Sequence, residues 1–474
     1  MVFSSPIFLF LFAPIFFIAY FLTVRKYRNL VALIGSVLFY SWGGPAFLST
    51  LLISLLIDWH IVNSMNKEKD KSIRMFYFLS ALIMNIGLLL YFKYSNFFVE
   101  NINSILIDLH IEPIKWAVVL LPIGISFIVF HKISYIIEVF RDEKKPTDKM
   151  VDYFLYILFF PMSIAGPIIK YQDISDQIKY REYRFEDIMY GSYRFSIGLF
   201  KKVWIADNVA IIADELFKVP PDSLSIGYAW IGVICYAVQI YFDFSGYADM
   251  AIGLSRIMGF KVMENFNMPY LSQNISEFWR RWHISLSSWM RNYIYIPLGG
   301  NRRSKIRSFF NLWVVFFISG IWHGANWTFV VWGVLHGILI ISDKLFWLNF
   351  SKKIPKLLNI LITFVFVLIT WVFFRADSIG HALGYLKSMF NIFSKQSVFL
   401  TPTLYTDRSI VLIIIFSLVI TFLPALNFYT YLENKSSRLL FSKYFMMPFS
   451  IFILLISIIK CVTNSFSPFI YFRF

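Results

Sequence analysis

Long apolar runs recur along the whole chain, and they constrain its fold more than any other feature. Apolar residues make up 58% of the 474 positions and charged residues 15%, whereas about 25% of the residues in soluble proteins are charged. A water-soluble globule is therefore excluded. Because lipid offers no partner for backbone polar groups, runs of this kind form helices. We expect an all-α polytopic membrane protein.

The apolar runs differ in length, and about 20 helical residues are enough to span a hydrocarbon core. Counting the shorter runs, the sequence predicts about ten to twelve transmembrane helices. The runs are Pro6–Val24, Leu30–Tyr40, Pro45–Val62, Met75–Phe92, Trp116–Phe140, Asp152–Ile169, Tyr228–Ile257, Phe309–Ser319, Trp327–Ile341, Leu357–Phe374, Ile410–Leu426 and Phe445–Ile459.

Basic residues beside the first run predict its orientation. Pro6–Val24 has no basic residue before it, exceeds the apolar part of a signal peptide and precedes no small-residue cleavage site. Arg25, Lys26 and Arg28 follow it, which places this loop in the cytoplasm and the N-terminus outside. When the chain is followed from this start, the later basic loops also fall on the cytoplasmic side. We therefore expect the loop Glu433–Lys443 in the cytoplasm and the C-terminus outside.

Three segments depart from plain membrane spans. Pro and Gly interrupt Asp152–Ile169, so part of it is expected to be re-entrant, with protein or water around its backbone. Phe185–Phe217 places polar residues at every seventh position, which indicates a helix packed in protein or lying at the interface. Asn265–Arg307 mixes aromatic and basic residues. Since no repeat or linker is visible, residues 1–474 are interpreted as one membrane domain.

Charge and cysteine content limit the partners. The net charge is +16, but the basic residues lie in short clusters between apolar runs, as in cytoplasmic loops. Nucleic-acid binding is therefore not expected. Cys235 and Cys461 are too few for a disulfide framework or a thiolate metal site. We expect no metal, because neither His283 nor His323 has a second ligand three or four positions away.

Ionisable residues inside apolar runs are candidates for function, because a charge near the bilayer centre costs at least ~2.5 kcal/mol. A buried partner or a position near a helix end is the simpler interpretation for four of them, Asp58, His131, Glu138 and His336. The others are Asp243, Asp249 and His323.

Two clusters combine histidine with tryptophan. Ser319–Trp327 contains His323 between glycines and tryptophans, and Trp279–His283 reads Trp-Arg-Arg-Trp-His. Glycine lets a backbone approach closely, tryptophan walls a cavity, and an imidazole accepts a hydroxyl proton. The residues of these clusters allow acid-base chemistry, and from chemistry alone neither spacing excludes a metal or proton-relay role.

Four ordered segments, Gln239–Gly253, Trp279–His283, Tyr293–Gly300 and Gly320–Trp327, resemble the membrane-bound O-acyltransferase (MBOAT) family. The similarity runs over nearly the whole chain. It is strongest to the bacterial branch for alginate O-acetylation, peptidoglycan O-acetylation and D-alanylation. The resemblance implies a horseshoe of helices with interfacial and re-entrant helices, in which a cytoplasmic and an outer funnel meet near the family histidine.

The resemblance also assigns roles. It maps the family histidine to His323 and a second catalytic position to His283. It implies an acyl thioester donor, acetyl-CoA by default, with no bound cofactor, and transfer to a hydroxyl of an extracytoplasmic polysaccharide. An SGNH-hydrolase-like partner outside the membrane completes the transfer. The candidate substrate-binding residues are Asp243, Asp249, Trp279, Arg280, Trp282, Trp322 and Asn326.

The C-terminal tail is too aromatic for a solvated segment, and Pro468 separates it from the preceding helix. We expect it to dock in a groove. One interpretation is an aromatic interface anchor. The resemblance offers another, because Phe469, Tyr471 and Phe474 match a Phe-x-Tyr-x-x-Phe pattern of this branch. Tyr471 is then a third catalytic candidate, a covalent acyl relay.

Two alternatives stay open. A multispan transporter or channel would use Asp243, Asp249 and His323 as a proton path, although the absence of repeats argues against it. An MBOAT enzyme acylating lipid or protein is the second, and the histidine of the Trp-Arg-Arg-Trp-His motif argues against that. The length of the chain disfavours D-alanyl transfer.

Overall fold

The computed structural model describes residues 1–391, 408–423, 443–463 and 469–470. Within these ranges the chain is helical and has no β-strand, so the all-α prediction is confirmed. The chain divides into two compact units, Met1–Ile188 with Leu254–Met263, and Met189–Gly253 with Glu264–Phe474. The assignment of residues 1–474 to one domain stays a prediction.

Seven helices lie wholly in the first unit, and the apolar ones correspond to predicted runs. They are α1 (Phe8–Leu22), α2 (Arg28–Gly43), α3 (Pro45–Lys67), α4 (Lys71–Asp108), α5 (Ile125–Phe140), α6 (Met150–Leu158) and α7 (Tyr171–Lys179).

The remaining helices belong mainly to the second unit. They are α8 (Phe185–Phe200), α9 (Asp207–Lys218), α10 (Ile226–Ile257), α11 (Ile275–Arg281), α12 (Ile284–Met290), α13 (Lys305–His323), α14 (Trp327–Lys353), α15 (Lys356–Arg375), α16 (Ile379–Phe390), α17 (Arg408–Phe422) and α18 (Lys443–Thr463). A π-helical turn, Lys201–Ala206, joins α8 to α9, which confirms the predicted helical character of Phe185–Phe217.

Seven of the described helices are long and apolar enough to cross a membrane, namely α3, α4, α10, α13, α14, α15 and α18. Phe8–Leu22 and Ile410–Phe422 are shorter apolar helices. The chain is therefore a multi-pass membrane protein. The count of about ten to twelve crossings stays a prediction.

The prediction of one helix over Trp116–Phe140 is wrong in its first half. Residues 111–122 are not helical, and α5 begins at Ile125 after Gly124, whose φ is +74°. The Asn96 side chain holds the irregular segment. It donates to the Val119 carbonyl at 2.8 Å and accepts from the Val119 N–H at 3.0 Å.

A second irregular segment, residues 159–169, follows α6 and is buried throughout. Protein side chains accept from two of its backbone N–H groups, as re-entrant structure requires. Phe160 N–H donates to Ser36 Oγ at 3.1 Å and Ile169 N–H to His131 Nε2 at 3.2 Å. Just after the segment, Gln172 N–H in α7 donates to Glu138 Oε2 at 2.6 Å. His131 and Glu138 thus both bind backbone N–H groups.

Asp58 has a structural explanation as well. Its carboxylate lies 2.8 Å from Lys132 Nζ and accepts from Asn85 Nδ2 at 2.9 Å. All three side chains are buried. The ion pair connects α3 to α5, and the hydrogen bond from Asn85 connects α4 to the same carboxylate.

Candidate active site

Close backbone packing of α13 against α14 positions His323. A Cβ atom at Gly333 would lie 2.5 Å from the Phe316 carbonyl oxygen, and one at Gly320 would collide with the Phe329 carbonyl. Only glycine permits this approach. Since His323 is the last residue of α13, the glycine contact fixes where its imidazole lies.

Asn326 turns the chain from α13 into α14. Its Oδ1 accepts from the Thr328 N–H at 3.0 Å, as expected of a helix N-cap, and its Nδ2 donates to the Asp377 carbonyl at 3.1 Å. Both ends of the amide are therefore engaged, the oxygen in capping α14 and the nitrogen in a bond to the segment between α15 and α16. The structure places Asn326 beside the site as a structural residue, and a substrate contact stays a prediction.

Aromatic rings surround His323, which is 3% exposed. The ring centroids of Trp322 and Trp332 lie 5.0 Å from its imidazole, and that of Phe374 lies at 5.2 Å. The tryptophan wall expected from the motif is present. It excludes water from the imidazole on these sides.

His283 occupies a strained position at the start of α12. Its φ is +44°, a left-handed conformation that residues other than glycine seldom adopt. The turn is held by backbone bonds, with Ile284 N–H donating to the Asn265 carbonyl at 2.9 Å and Asn267 N–H to the Arg281 carbonyl at 2.9 Å. Strain of this kind marks functional sites.

Asn265 determines the tautomer of His283. Asn265 Oδ1 accepts from the Ser285 N–H at 3.2 Å and the Ser285 hydroxyl at 2.8 Å, which identifies this atom as the amide oxygen. His283 Nδ1, 3.1 Å away, must therefore donate. The other nitrogen, Nε2, then has a free lone pair.

His283 Nε2 is buried and has no hydrogen-bond partner among the described residues. His283 lies outside the helices that could span a membrane, and burial lowers the pKa of its imidazole to about 3 because the charged form is poorly solvated. The side chain is neutral at physiological pH. An unpaired, neutral ring nitrogen is able to accept a proton.

The structure brings His283 and His323 to one aromatic cluster. Trp322 is the link, with centroid distances of 6.3 Å to His283 and 5.0 Å to His323. Trp282 belongs to the same cluster through Trp371 at 5.1 Å. These four predicted site residues therefore lie together, although they come from separate segments.

His336, for which the sequence favours a buried partner or a position near a helix end, is also a member of this cluster. It is buried on α14, and its Nδ1 accepts from the indole N–H of Trp279 at 3.2 Å. Trp332 lies 4.8 Å from it and 5.0 Å from His323. Trp279 and His336 are 57 positions apart, a separation that follows no spacing rule, so no local signal indicates the contact.

A cavity of about 260 Å³ lies beside this cluster. Trp279 and Phe316 form part of its apolar wall, and Arg280, Arg291 and Lys344 line it with positive charge. Arg280 is exposed. The cavity thus pairs an apolar interior with cations.

Both acids of the α10 motif are buried in ion pairs. Asp249 lies 2.6 Å from both Arg194 Nη2 and Lys201 Nζ. Asp243 lies 3.1 Å from Lys202 Nζ. Their cationic partners make them structural in this arrangement, and their role in substrate binding stays a prediction.

The C-terminal tail docks beside the motif of α10. Asp243 Oδ2 accepts from the Ile470 N–H at 2.9 Å, and the Phe469 ring stacks on Tyr247 at 4.6 Å. Phe469 and Ile470 are 1% and 3% exposed, so the predicted docking is confirmed for these two residues. Tyr471 and Phe474 lie outside the described residues.

The tail also lies near His283. Phe469 contacts Phe244 at a centroid distance of 6.0 Å, and Phe244 meets the His283 imidazole edge to face at 4.8 Å. As to metal sites, the described part of the chain contains no group of three or more His, Cys, Asp or Glu side chains that could hold an ion.

Comparison with known proteins identifies the family. The model of the membrane-bound O-acyltransferase family matches residues 126–380. A probable alginate O-acetylase of Pseudomonas putida is 37% identical over 489 aligned positions, which cover 100% of both chains. A peptidoglycan O-acetyltransferase of Helicobacter pylori is 38% identical over 82% of this chain and 80% of its own. A teichoic acid D-alanyltransferase of Bacillus subtilis is 32% identical over 55% of this chain and 70% of its own. The chain belongs to the membrane-bound O-acyltransferase family and is a multi-pass membrane O-acyltransferase.

Proposed function

We propose that this enzyme O-acetylates an extracytoplasmic polysaccharide, either an alginate-like polymer or peptidoglycan. The relatives named for alginate and peptidoglycan O-acetylation match 100% and 82% of this chain. The relative named for D-alanyl transfer matches 55%. This difference supports acetyl over D-alanyl, and the polymers named for these relatives favour a polymer over a lipid or protein acceptor.

His323 is the proposed catalytic centre. It takes the proton of the accepting hydroxyl while that oxygen attacks the acyl carbonyl and the thiol leaves, or it carries the acyl group transiently. His283 assists from the cytoplasmic side. The observation that supports this chemistry best is the unpaired Nε2 of His283, in the aromatic cluster that also surrounds His323.

The proposed donor is an acyl thioester, acetyl-CoA, presented from the cytoplasm. In the cavity beside Trp279, the apolar wall suits the thioester arm, and Arg280, Arg291 and Lys344 suit its phosphates. Only the small acetyl group then crosses the thin centre of the protein. Moving charged CoA or polymer through hydrocarbon would be far more unfavourable.

Tyr471 is the proposed acceptor on the outer side. A phenol has a pKa of about 10 and needs a base, for which His323 is the candidate. An SGNH-hydrolase-like partner would then move the acetyl group from Tyr471 to the polymer, with both termini extracytoplasmic. The docking of Phe469 and Ile470 supports this, and an anchoring role for the tail remains the alternative.

The transporter alternative loses its main support. Asp243 and Asp249, the acids of its proton path, are paired with Lys202 and with Arg194 and Lys201. Each acid is already bound to a cation in a buried ion pair, so the arrangement gives no reason to place either in a proton path.

Alkali-released acetate from purified cell-surface polysaccharide tests the proposal. A strain lacking this enzyme should lose the ester-linked acetate and regain it with the wild-type gene. His60→Ala, which changes an exposed histidine, should restore it equally. Unchanged acetate in the deletion strain would contradict the proposed function.

A further inference from the structure

Three arginines of the first unit surround a single tyrosine ring. The guanidinium carbons of Arg28, Arg181 and Arg25 lie 4.2, 5.7 and 5.8 Å from the Tyr183 ring centroid. Among the described residues no carboxylate forms an ion pair with any of them. The neighbouring acid, Glu182, pairs with Arg184 instead.

Neutral partners hold these cations in place. Arg181 donates to Asn29 Oδ1 at 2.7 Å, to the Tyr20 hydroxyl at 2.9 Å and to the Met258 carbonyl at 3.2 Å. Arg28 donates to the carbonyls of Thr23 at 3.1 Å and Phe21 at 3.3 Å. These bonds fix the orientation of both guanidinium groups and leave their charge uncompensated.

A polar cavity of about 520 Å³ opens beside the cluster. Its basic lining residues are Arg25, Lys26, Lys149, Lys179 and Arg181. Two acids line it as well, Asp148 and Asp152, and Asp152 Oδ1 already accepts from Asn29 Nδ2 at 2.8 Å. Cations therefore outnumber carboxylates around the space.

Like charges held this close repel one another, and a bound anion removes the repulsion. Guanidinium groups suit phosphate in particular, because their planar donors match two phosphate oxygens at once. Arg25 and Lys26 lie just beyond the end of the apolar helix α1, which ends at Leu22. The cavity thus lies beside the end of an apolar helix.

We propose that this cavity binds a phosphate-bearing anion. Both an anionic phospholipid headgroup and a free phosphate ester supply that chemistry. The site lies in the first unit, and its binding is measured independently of acyl transfer.

Two probes distinguish the sources, both applied to the full chain in an uncharged detergent. Phosphatidylglycerol, compared with phosphatidylcholine, tests the lipid headgroup by native mass spectrometry. Adenosine 3′,5′-bisphosphate tests the free phosphate by titration calorimetry. The cavity variant is Arg25→Gln/Lys149→Gln/Lys179→Gln, whose three side chains are exposed and contribute little to the core. The matched control, Lys67→Gln/Lys69→Gln/Lys71→Gln, removes the same charge from exposed positions where α3 connects to α4.

We expect one of the two probes to bind the wild type and the control variant equally. Binding to the cavity variant should be weaker by about tenfold or more, because the variant loses three cations that would hold the phosphate. Phosphatidylglycerol whose binding weakens in the cavity variant identifies a lipid headgroup, and bisphosphate whose binding weakens there identifies a free phosphate ester. Binding of neither probe, unchanged binding to the cavity variant, or equal weakening in the control variant overturns the proposal.

Discussion

His283 Nδ1 lies 3.1 Å from Asn265 Oδ1, and this contact decides which nitrogen of the imidazole is free to react. Because the amide oxygen also accepts from the Ser285 N–H, it leaves Nδ1 no role except that of donor. The lone pair of Nε2 is therefore available in the aromatic cluster. Asn265 acts on the chemistry by positioning His283.

Replacing Asn265 tests this positioning role. Asn265→Leu removes the acceptor for Nδ1–H and should lower kcat by about 10- to 100-fold, as loss of a histidine-orienting partner does elsewhere. Asn265→Asp keeps an acceptor oxygen and should retain more activity. The assay is acetyl transfer by purified enzyme, with exposed Asn267→Leu as the control. Equal losses of kcat in the Leu and Asp variants would contradict the proposal that Asn265 orients His283.

Asp243 is expected to hold the C-terminal tail through the Ile470 N–H. Asp243→Leu removes this acceptor, whereas Asp243→Asn keeps an oxygen there and removes only the charge that faces Lys202. Both variants should be less stable, because a disrupted buried ion pair costs about 3–5 kcal/mol. Only the Leu variant should release the tail.

Limited proteolysis of a tag fused after Phe474 measures that release. The Leu variant should lose the tag faster than the Asn variant at matched thermal stability. Identical cleavage rates in the two variants would show that the hydrogen bond to Ile470 does not hold the tail.

Gly333→Ala should separate α13 from α14. The new Cβ atom would lie 2.5 Å from the Phe316 carbonyl oxygen and 3.0 Å from Gly320 Cα, so the backbones must move apart at a cost of about 1–3 kcal/mol. We expect a lower thermal midpoint and reduced transfer activity, since His323 ends α13. Gly87→Ala is the matched control, because nothing lies within 4 Å of its added carbon. A midpoint equal to that of the control would contradict the packing argument.

Tyr471→Phe distinguishes a tail that relays the acyl group through Tyr471 from a tail that only anchors the chain. It keeps the aromatic ring and removes only the hydroxyl oxygen that would receive the acetyl group. Acetylation of the polymer should stop while the protein level and the docking of the tail are unchanged. If a normally expressed variant still acetylates at the wild-type rate, the tail serves for packing alone.

Apolar runs were sufficient to predict most of the long helices. Pro45–Val62 corresponds to α3 and Leu357–Phe374 to α15, because in lipid an apolar segment has no alternative to internal hydrogen bonding. Trp116–Gly124 is the exception. Its backbone binds the side chain of Asn96, more than twenty residues earlier in the chain. Because the segment is as apolar as the runs that form helices, its composition does not indicate this contact.

The sequence motifs contain side chains that the structure brings together, but they do not indicate how these side chains are connected. His323, His283 and their tryptophans stand in short motifs that are visible in the sequence. Asn265 lies 18 residues before His283, and its role depends on a turn that no spacing rule encodes. Contacts of this kind arise from tertiary packing and require the structure.

The most direct test of the account is acetyl transfer by His323→Ala. The variant is reconstituted in vesicles with labelled acetyl-CoA, and labelled product is counted over time beside wild type and His60→Ala. Loss of a general base lowers the rate by about 10²- to 10⁴-fold, so we expect transfer to fall within that range while His60→Ala behaves as wild type. Wild-type transfer by a well-folded His323→Ala enzyme would contradict the catalytic role of this histidine.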